Sequence, residues 1–465
     1  MEGLEITILN KVEAFNDLFK ARIDPEFYQK HYMALYDLII NKKNQTLGDL
    51  AFVTDGEHGN AKTYPIGYSK YYGARNVLDG ILNDNNVEFI TKEHHKKLRK
   101  TALKSRDVLI SCVGANIGFA AIVPDTIEVA NIVRNVALIR SNTNVKNEYL
   151  LAYFLSKFGR NLYIRMNTGN AQPLVSLDYI NTVPVYIASE QLQISISELL
   201  AKAIYSENQS KIIYSQSEDI LLEALDLNNF QPSQKPVNIK SFSESFGGSG
   251  RLDAEYYQLK YDEILKRIEN YKYGYSTIEN EFKLSKKKTD RSKKTYNYTE
   301  ISDVDVSDGS ISYNEVSVDN LPANGKLILK SGHIIISKVR PYRGAVAIIR
   351  DTPENYIGSG AFTVLSEKSD YLKEVLQVLL RTKPYQELIM KYNVGSSYPV
   401  VKDEDILGLT IPKLDTSKQK NIADLVEESF KLKKKSEHLL EVAKKAVELA
   451  IEENEEVAMQ FIRKA

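Results

Sequence analysis

The sequence predicts an α+β protein in which two repeated globular units are separated by two long antiparallel helices in a coiled-coil-like spacer, the whole pseudo-two-fold symmetric. Three observations predict this. The stretch from Ser189 to Leu225 has no glycine or proline, it carries a stripe of apolar and small residues at helical spacing, and the pattern before and within it recurs later in the chain. Steps of three and four residues pick out Leu192, Ile196, Leu199, Ala203, Ser206, Ser210, Ile213, Ser217, Ile220 and Ala224, which is a heptad rhythm. Every seventh stripe position, at Ala203, Ser210, Ser217 and Ala224, is small. Such a seam admits another helix backbone closely, whereas a helix that covers a sheet fills its face with larger apolar residues.

The partner is the second copy. RIDPEFYQKHYMALY from Arg22 matches RLDAEYYQLKYDEIL from Arg251, with Arg22, Asp24, Tyr28, Gln29 and Tyr32 falling on Arg251, Asp253, Tyr257, Gln258 and Tyr261. LKSRDVLIS from Leu103 then matches LKSGHIIIS from Leu329, Gly118 falls on Gly344, and NTGNAQPLV ending at Val175 is echoed by NVGSSYPVV ending at Val401. Val183-Pro184 and Ile411-Pro412 each introduce a long helix. The second helix, from about Thr416, carries Ile422, Leu425, Ser429, Leu432, Ser436, Leu439, Ala443, Ala446 and Ala450, again with small residues at heptad spacing, and Thr416 with Gln419 forms a capping-box pattern. Short β-branched runs (108–113, 120–123, 135–139, 334–339 and 345–349) mixed with helices make each unit α+β. Between the halves, Gln231 to Gly250 is rich in Ser, Gly and Pro and reads as a linker, although VNIKSFSESF within it resembles EITILNKVEAF near the start.

At 465 residues the chain is long enough for two or three domains with substantial cores. No apolar run approaches a membrane span, and MEGLEITILNKVEAF lacks the basic start and apolar block of a signal peptide, so a cytoplasmic location is expected. The single cysteine, Cys112, excludes an internal disulfide and a cysteine-based zinc site, and its setting in VLISCVG suits a buried structural thiol. The net charge of zero neither favours nor forbids nucleic acid, because phosphate contacts depend on local patches.

No catalytic constellation emerges. Asp55, Glu57 and His58 lie among glycines and have no counterpart in the second half, so a solvated loop outweighs a metal site. His94 and His95 in KEHHKKLRK suit a charged surface helix, with phosphate contact as the minority reading. Phosphate-loop, dinucleotide-turn and nucleophile-elbow motifs are absent, so no cofactor and no metal are expected.

Basic loops are more telling. Lys283 to Tyr298 puts seven Lys or Arg beside two tyrosines, which suits phosphate contact and a solvated loop about equally. Lys338, Arg340 and Arg343 cluster around Pro341 and Tyr342, and cations crowded on a stiff turn are costly unless an anion meets them. The first unit's equivalent, SCVGANIG, is uncharged and would read through Asn116 and backbone groups. The frame is shared and the loop chemistry differs, as a two-part reader of an asymmetric sequence requires.

Here the chain resembles the specificity subunit of Type I restriction-modification systems. The resemblance rests on LKSRDVLISCVGANIG and LKSGHIIISKVRPYRG, and on NTGNAQPLVSLDYINTVPV followed by SEQLQISI, in this order and twice; Gln191 with Ile194, and Gln419 with Ile422, hold its last pattern. It covers nearly the whole chain. Arg106 and Gly332-His333 depart from the usual Gly-Asp, and Tyr398 replaces the glutamine found at Gln172. The resemblance implies a first target-recognition domain at 1–187, a central spacer helix at 188–230, a linker at 231–250, a second recognition domain at 251–414 and a C-terminal spacer helix at 415–465. It implies a non-catalytic subunit that binds a bipartite, asymmetric double-stranded DNA target, with two DNA methyltransferase subunits and a motor or nuclease restriction subunit as partners.

The candidate DNA contacts are Lys62, Tyr64, Arg75, Asn116, Arg134, Asn170 and Gln172 in the first unit. In the second they are Lys286, Lys287, Arg291, Lys338, Arg340, Tyr342, Arg343, Ser397 and Tyr398. The candidate seam sets Leu199, Ala203, Ser210, Ile213, Ser217 and Ala224 against Leu425, Ser429, Leu432, Ser436, Leu439 and Ala443. Tyr205, Lys211, Tyr214 and the stretch 431–435 are candidate methyltransferase-docking surfaces, although solvation explains the charged ones as well. The rivals are the specificity chain of a Type II enzyme with a fused methyltransferase-nuclease partner, and a protein-interaction scaffold without DNA binding.

Overall fold

The computed structural model describes residues 22, 24–59, 61–169, 171–233, 235, 237–394 and 398–465. Asn170, Ser397 and the EITILNKVEAF segment lie outside the described residues. The chain forms two compact units, 1–207 with 433–465, and 208–432.

In the first unit a four-stranded antiparallel sheet runs Ala51–Asp55, Val136–Ser141, Val108–Ser111, Ala120–Ile122. A second sheet pairs Ser69–Tyr72 antiparallel with Glu88–Ile90 and parallel with Ala130–Ile132, and Asn44–Thr46 pairs with Pro184–Tyr186. The second unit repeats this order. Phe282–Leu284, Phe362–Glu367, Ile334–Ser337 and Val346–Ile348 make one sheet. Asn314–Ser317, Thr295–Thr299, Tyr356–Ser359 and Gly325–Ile328 make another, and Tyr275–Thr277 pairs with Thr410–Pro412.

The continuous apolar runs VLIS and IIIS follow from cover on both faces of these central strands. Val108 and Ile110 join the core shared with helix Asn147–Leu155, while Leu109 joins the core beneath Tyr72 and Ile132. Ile334 and Ile336 likewise oppose Ile335. Cys112, buried at the end of the first run, is a structural thiol pushed up to about 12 by burial.

The repeated Arg-x-Asp has a structural task. Arg22 forks onto Asp24 at 2.8 and 2.6 Å and donates to the carbonyls of Met166 and Asn167 at 3.2 and 2.7 Å. Tyr28 donates to the Arg22 carbonyl at 2.9 Å. Arg251, Asp253 and Tyr257 reproduce this, with Arg251 reaching the Asn393 carbonyl at 3.3 Å. Each set holds the base of the loop that precedes Val175 or Val401.

The long helices are Glu190–Ala224, 35 residues, and Thr416–Glu452, 37 residues. In the first unit Leu192, Ile196, Leu199 and Ala203 share a core with Leu439, Ala443, Ala446 and Ala450. In the second, Tyr214, Leu221 and Leu225 share one with Ile422, Val426 and Phe430. There Ser429 Oγ lies 3.0 Å from Ser210 Oγ and 2.9 Å from the Ser210 carbonyl, a contact that only small side chains allow. Ser217 and Ser436 are also buried.

Several expectations change. A strict heptad stripe would bury Ile213, Ile220 and Ala224, but these are half-buried, and Tyr214, Leu221 and Leu225 are buried instead. An α-helix turns 3.6 residues, so a straight seam drifts by about one position over a few turns. Tyr214 is therefore not an outward docking residue: it accepts from buried Arg381 Nε at 2.7 Å, and burial raises its hydroxyl to about 12. The C-terminal segment is not one helix to residue 465. It breaks after Glu452, and Asn454 caps a new helix, Glu455–Lys464, by accepting from Val457 N at 3.0 Å.

Thr416 does not cap the second long helix; Asp415 does, accepting from Lys418 N at 2.9 Å. Gln419 instead bonds the Leu414 carbonyl at 2.9 Å and Leu372 N at 3.0 Å. Its counterpart is Gln193, bonded to the Ala188 carbonyl at 2.9 Å and Lys146 N at 3.1 Å. The motif pair in the first unit is thus Gln193 with buried Ile196, not Gln191 with Ile194, which is 40% exposed.

Replacing Ser429 by Leu is expected to overpack the seam and cost roughly 1–3 kcal/mol in urea denaturation, while Ser429→Ala costs about 1 kcal/mol. Equal tolerance of Leu and Ala would contradict close packing at Ser210. The Arg22 guanidinium holds the Asp24 carboxyl below its ordinary value. A depressed folded-state value adds stability above the ordinary carboxylate range that disappears as pH falls through it. Asp24→Asn should therefore lower the urea midpoint at pH 7, and the gap from the parent should close as pH drops below about 4; a gap that ignores pH would remove the charge from the explanation.

Candidate nucleic-acid interface

Each central strand ends in a turn that the following loop clasps. In the first unit Gly114 N donates to the Pro173 carbonyl at 3.0 Å, Val113 bridges Leu174, and Val175 N donates to the Cys112 carbonyl at 2.9 Å. In the second, Arg340 N donates to the Pro399 carbonyl at 2.8 Å, Val339 bridges Val400, and Val401 N donates to the Lys338 carbonyl at 2.9 Å. Asn167 and Asn393 tie these loops internally, accepting from Leu174 N and Val400 N at 2.8 and 3.0 Å. Asn167, Asn393 and the two Arg-x-Asp pairs are the supports that the sequence displayed as repeats without assigning them a task.

The equivalence puts Arg340 where the first unit has Gly114. Both are left-handed, Gly114 at φ +94° and Arg340 at φ +48°. A non-glycine residue there costs roughly 1–2 kcal/mol, so the arginine holds this place against its local backbone preference. Its guanidinium lies 4.6 Å from the centroid of the Tyr398 ring, which is 53% exposed. Tyr342 and Arg343 stand exposed on the same turn, Pro341–Arg343. Gly344, also left-handed, accepts from Arg381 at 3.4 Å, so buried Arg381 links the turn to Tyr214.

Not every candidate is free to meet a ligand. Lys338 pairs with Asp403 at 3.2 Å, and that carboxylate also accepts from Thr363 at 2.6 Å, so the crowding of cations on the turn is partly relieved inside the protein. Arg291 is left-handed and donates to the carbonyls of Pro322 and Gly325 at 2.6 and 3.1 Å, which makes it a clamp on that turn. Lys286 and Lys287 are exposed, on a segment held against strand Gly325–Ile328 by Ile328 N donating to the Lys287 carbonyl at 2.9 Å. They stand apart from the Arg340 cluster in the hydrogen-bonding scheme.

In the first unit Asn116 approaches the Ala74 carbonyl at 3.5 Å, next to Arg75, which donates to the Asn86 carbonyl at 2.9 Å. Gln172 is exposed beside Gly114, and Arg134 is exposed with its carbonyl facing the Cys112 thiol. Lys62 lies 5.5 Å from the centroid of the Tyr64 ring, in a separate loop joined to strand Glu88–Ile90 through Phe89. Asn116 and Gln172 thus flank the Gly114 turn, Arg75 is engaged by the Asn86 carbonyl and by Glu88 at 3.5 Å, and Lys62 with Tyr64 lies on another segment.

Acidic and histidine groups are used locally. His58 pairs with Asp55 and His94 with Glu57, each at 2.6 Å, and among the described residues no group of three or more His, Cys, Asp or Glu could hold a metal ion. Among the described residues, too, no helix is long and apolar enough to cross a membrane.

Comparison with known proteins now bears on this geometry. Residues 272–442 match the family described as Type I restriction modification DNA specificity domain. Over 127 residues the chain is 28% identical to the Type I restriction enzyme HindI specificity subunit of Haemophilus influenzae, an alignment that spans 26% of this chain and 28% of that relative's length. Among solved structures, the Type-I restriction-modification S subunit from M. genitalium aligns at 11% identity over 87% of this chain and 94% of that one, with a TM-score of 0.43. The HsdS subunit from Thermoanaerobacter tengcongensis aligns at 12% identity over 89% and 97%, with a TM-score of 0.29. The family match covers residues 272–442 and the chain spans little more than a quarter of the curated relative's length, so the similarity to Type I specificity subunits extends over part of the chain.

Proposed function

We propose that this chain is the non-catalytic subunit that recognises a bipartite, asymmetric duplex DNA target and holds methyltransferase subunits on it. The observation that carries the reading is one turn-and-loop frame used twice with different chemistry: Gly114, Asn116 and Gln172 in one unit, Arg340, Tyr342, Arg343 and Tyr398 in the other. Amide side chains pair with the adenine edge and arginine with the guanine edge in the major groove. The first unit is thus suited to adenine and the second to guanine. Arg75, Arg134, Lys62, Lys286 and Lys287 are suited to phosphate, which positions without specifying. The long helices serve as the spacer that sets the distance between the two readings, and Tyr205, 65% exposed, remains a candidate for docking a methyltransferase.

The test is the modified sequence itself. DNA methylated by the chain with its methyltransferase partner is expected to carry two specified half-sites around an unspecified gap. Arg340→Gly combined with Tyr398→Ala should relax one half-site and leave the other intact. Arg340→Gly alone should keep stability within about 1 kcal/mol, because relieved left-handed strain offsets the lost stacking. Loss of specificity in both half-sites together, or in neither, would overturn the assignment of separate readers.

A further inference from the structure

The first unit has no cation on its strand-end turn, yet it carries one of the densest basic runs in the chain, KEHHKKLRKTALK from Lys92 to Lys104. At the equivalent place in the second unit stand the residues VDNLPANGKLILK, with no such cluster. The structure turns His94 and His95 to different partners. His94 is spent on Glu57 at 2.6 Å, whereas His95 lines a cleft of about 640 Å³ with Arg99, Lys100, Lys104, Arg140 and Glu128.

Arg140 is satisfied there, forked onto buried Asp107 at 2.7 and 2.6 Å. Arg99, Lys100 and Lys104 are exposed, and no carboxylate pairs with their side chains among the described residues.

His95 is held by a buried polar chain. Thr101 Oγ1 donates to Asn131 Oδ1 at 2.6 Å, which leaves the Asn131 Nδ2 donor 2.8 Å from His95 Nδ1. Asn131 is fully buried. With Nδ1 accepting, the neutral ring carries its proton on Nε2. Burial lowers the His95 pKa and so favours that neutral form. A fully buried amide facing one imidazole nitrogen, beside three exposed cations that no carboxylate pairs among the described residues, suits an anion better than a solvated face does.

We propose that this cleft seats a backbone phosphate of the duplex on the first unit, between the His95 Nε2–H and the side chains of Arg99, Lys100 and Lys104, with Asn131 as a positioning residue. The inference rests on the DNA-recognition reading above and adds the phosphate anchor that the uncharged GANIG turn lacks. The first unit then has a phosphate anchor on a segment separate from its Gly114 turn, as the second has Lys286 and Lys287 apart from Arg340.

The test is binding of the full-length chain to fluorescent duplex carrying its methylation motif, titrated across salt, with melting temperature as the control for folding. The triple variant R99A/K100A/K104A is expected to weaken binding equally for motif and unrelated duplex, and to reduce the slope of log affinity against log salt by about 2 to 3. His95→Leu should weaken binding, while His95→Gln, whose amide keeps a donor near the Nε2 position, should restore most of it. An unchanged slope in the triple variant, with Lys286→Ala/Lys287→Ala still lowering it, would overturn this proposal and leave the recognition reading standing. Failure of the parent chain to bind duplex in a salt-dependent way would overturn both. If inorganic phosphate stabilises the parent but not the triple variant while the duplex slopes agree, the cleft takes a free anion and the proposal is again wrong.

Discussion

Ser429 donates its hydroxyl proton towards Ser210 across 3.0 Å or to the Ser210 carbonyl at 2.9 Å, and neither geometry survives a larger side chain at either place. This approach is the constraint on which the second unit depends. It brings Tyr214 inward to meet Arg381, and Arg381 in turn reaches the carbonyls of Gly344 and Val306 at 3.4 and 3.1 Å. The turn that presents Arg340, Tyr342 and Arg343 is therefore supported from the helix seam through one buried guanidinium. In the first unit Ala203 and Ala443 are fully buried in a single core with helix Asn147–Leu155, so small residues on the long helices support the turn-and-loop frame there as well.

Arg340 stands against its local backbone preference. Its counterpart, Gly114, takes the left-handed conformation freely, and the arginine takes it at a cost while laying its guanidinium over Tyr398. Arg106 does something similar where Gly332 stands in the other unit: at φ +68° it pairs with Asp125 at 2.6 Å. The first is half-buried at the turn beside exposed Tyr342 and Arg343, and the second is satisfied by Asp125. The same backbone departure thus lays a guanidinium over an aromatic ring in one place and pairs it with a carboxylate in the other.

Most of the architecture was legible because the chain states it twice. Continuous β-branched runs at Val108 and Ile334 announced strands, and heptad spacing of small residues announced helices that pack on helices. What escaped were features set by geometry rather than pattern. The heptad count carried the seam to Ile213 and Ile220, but the 3.6-residue turn moves it to Tyr214 and Leu221. Thr416 looked like a cap because Gln419 follows at the right spacing, yet Asp415 takes the backbone donor and Gln419 stitches the helix to Leu372. In the candidate interface, charge alone made Lys338 and Arg291 look free, and only their partners, Asp403 and the carbonyls of Pro322 and Gly325, show that they are engaged. Composition displays cations; it does not display what already neutralises them.

The central claim is that the two long helices act as a ruler whose length is fixed by their seam. The most direct measurement is the gap in the methylated motif after one heptad is inserted at matched positions in both helices, which keeps small residues in register. The account predicts a gap longer by about 2 to 3 base pairs, from roughly 10 Å of added helix at 3.4 Å per base pair, with both half-sites unchanged. An unchanged gap would contradict it.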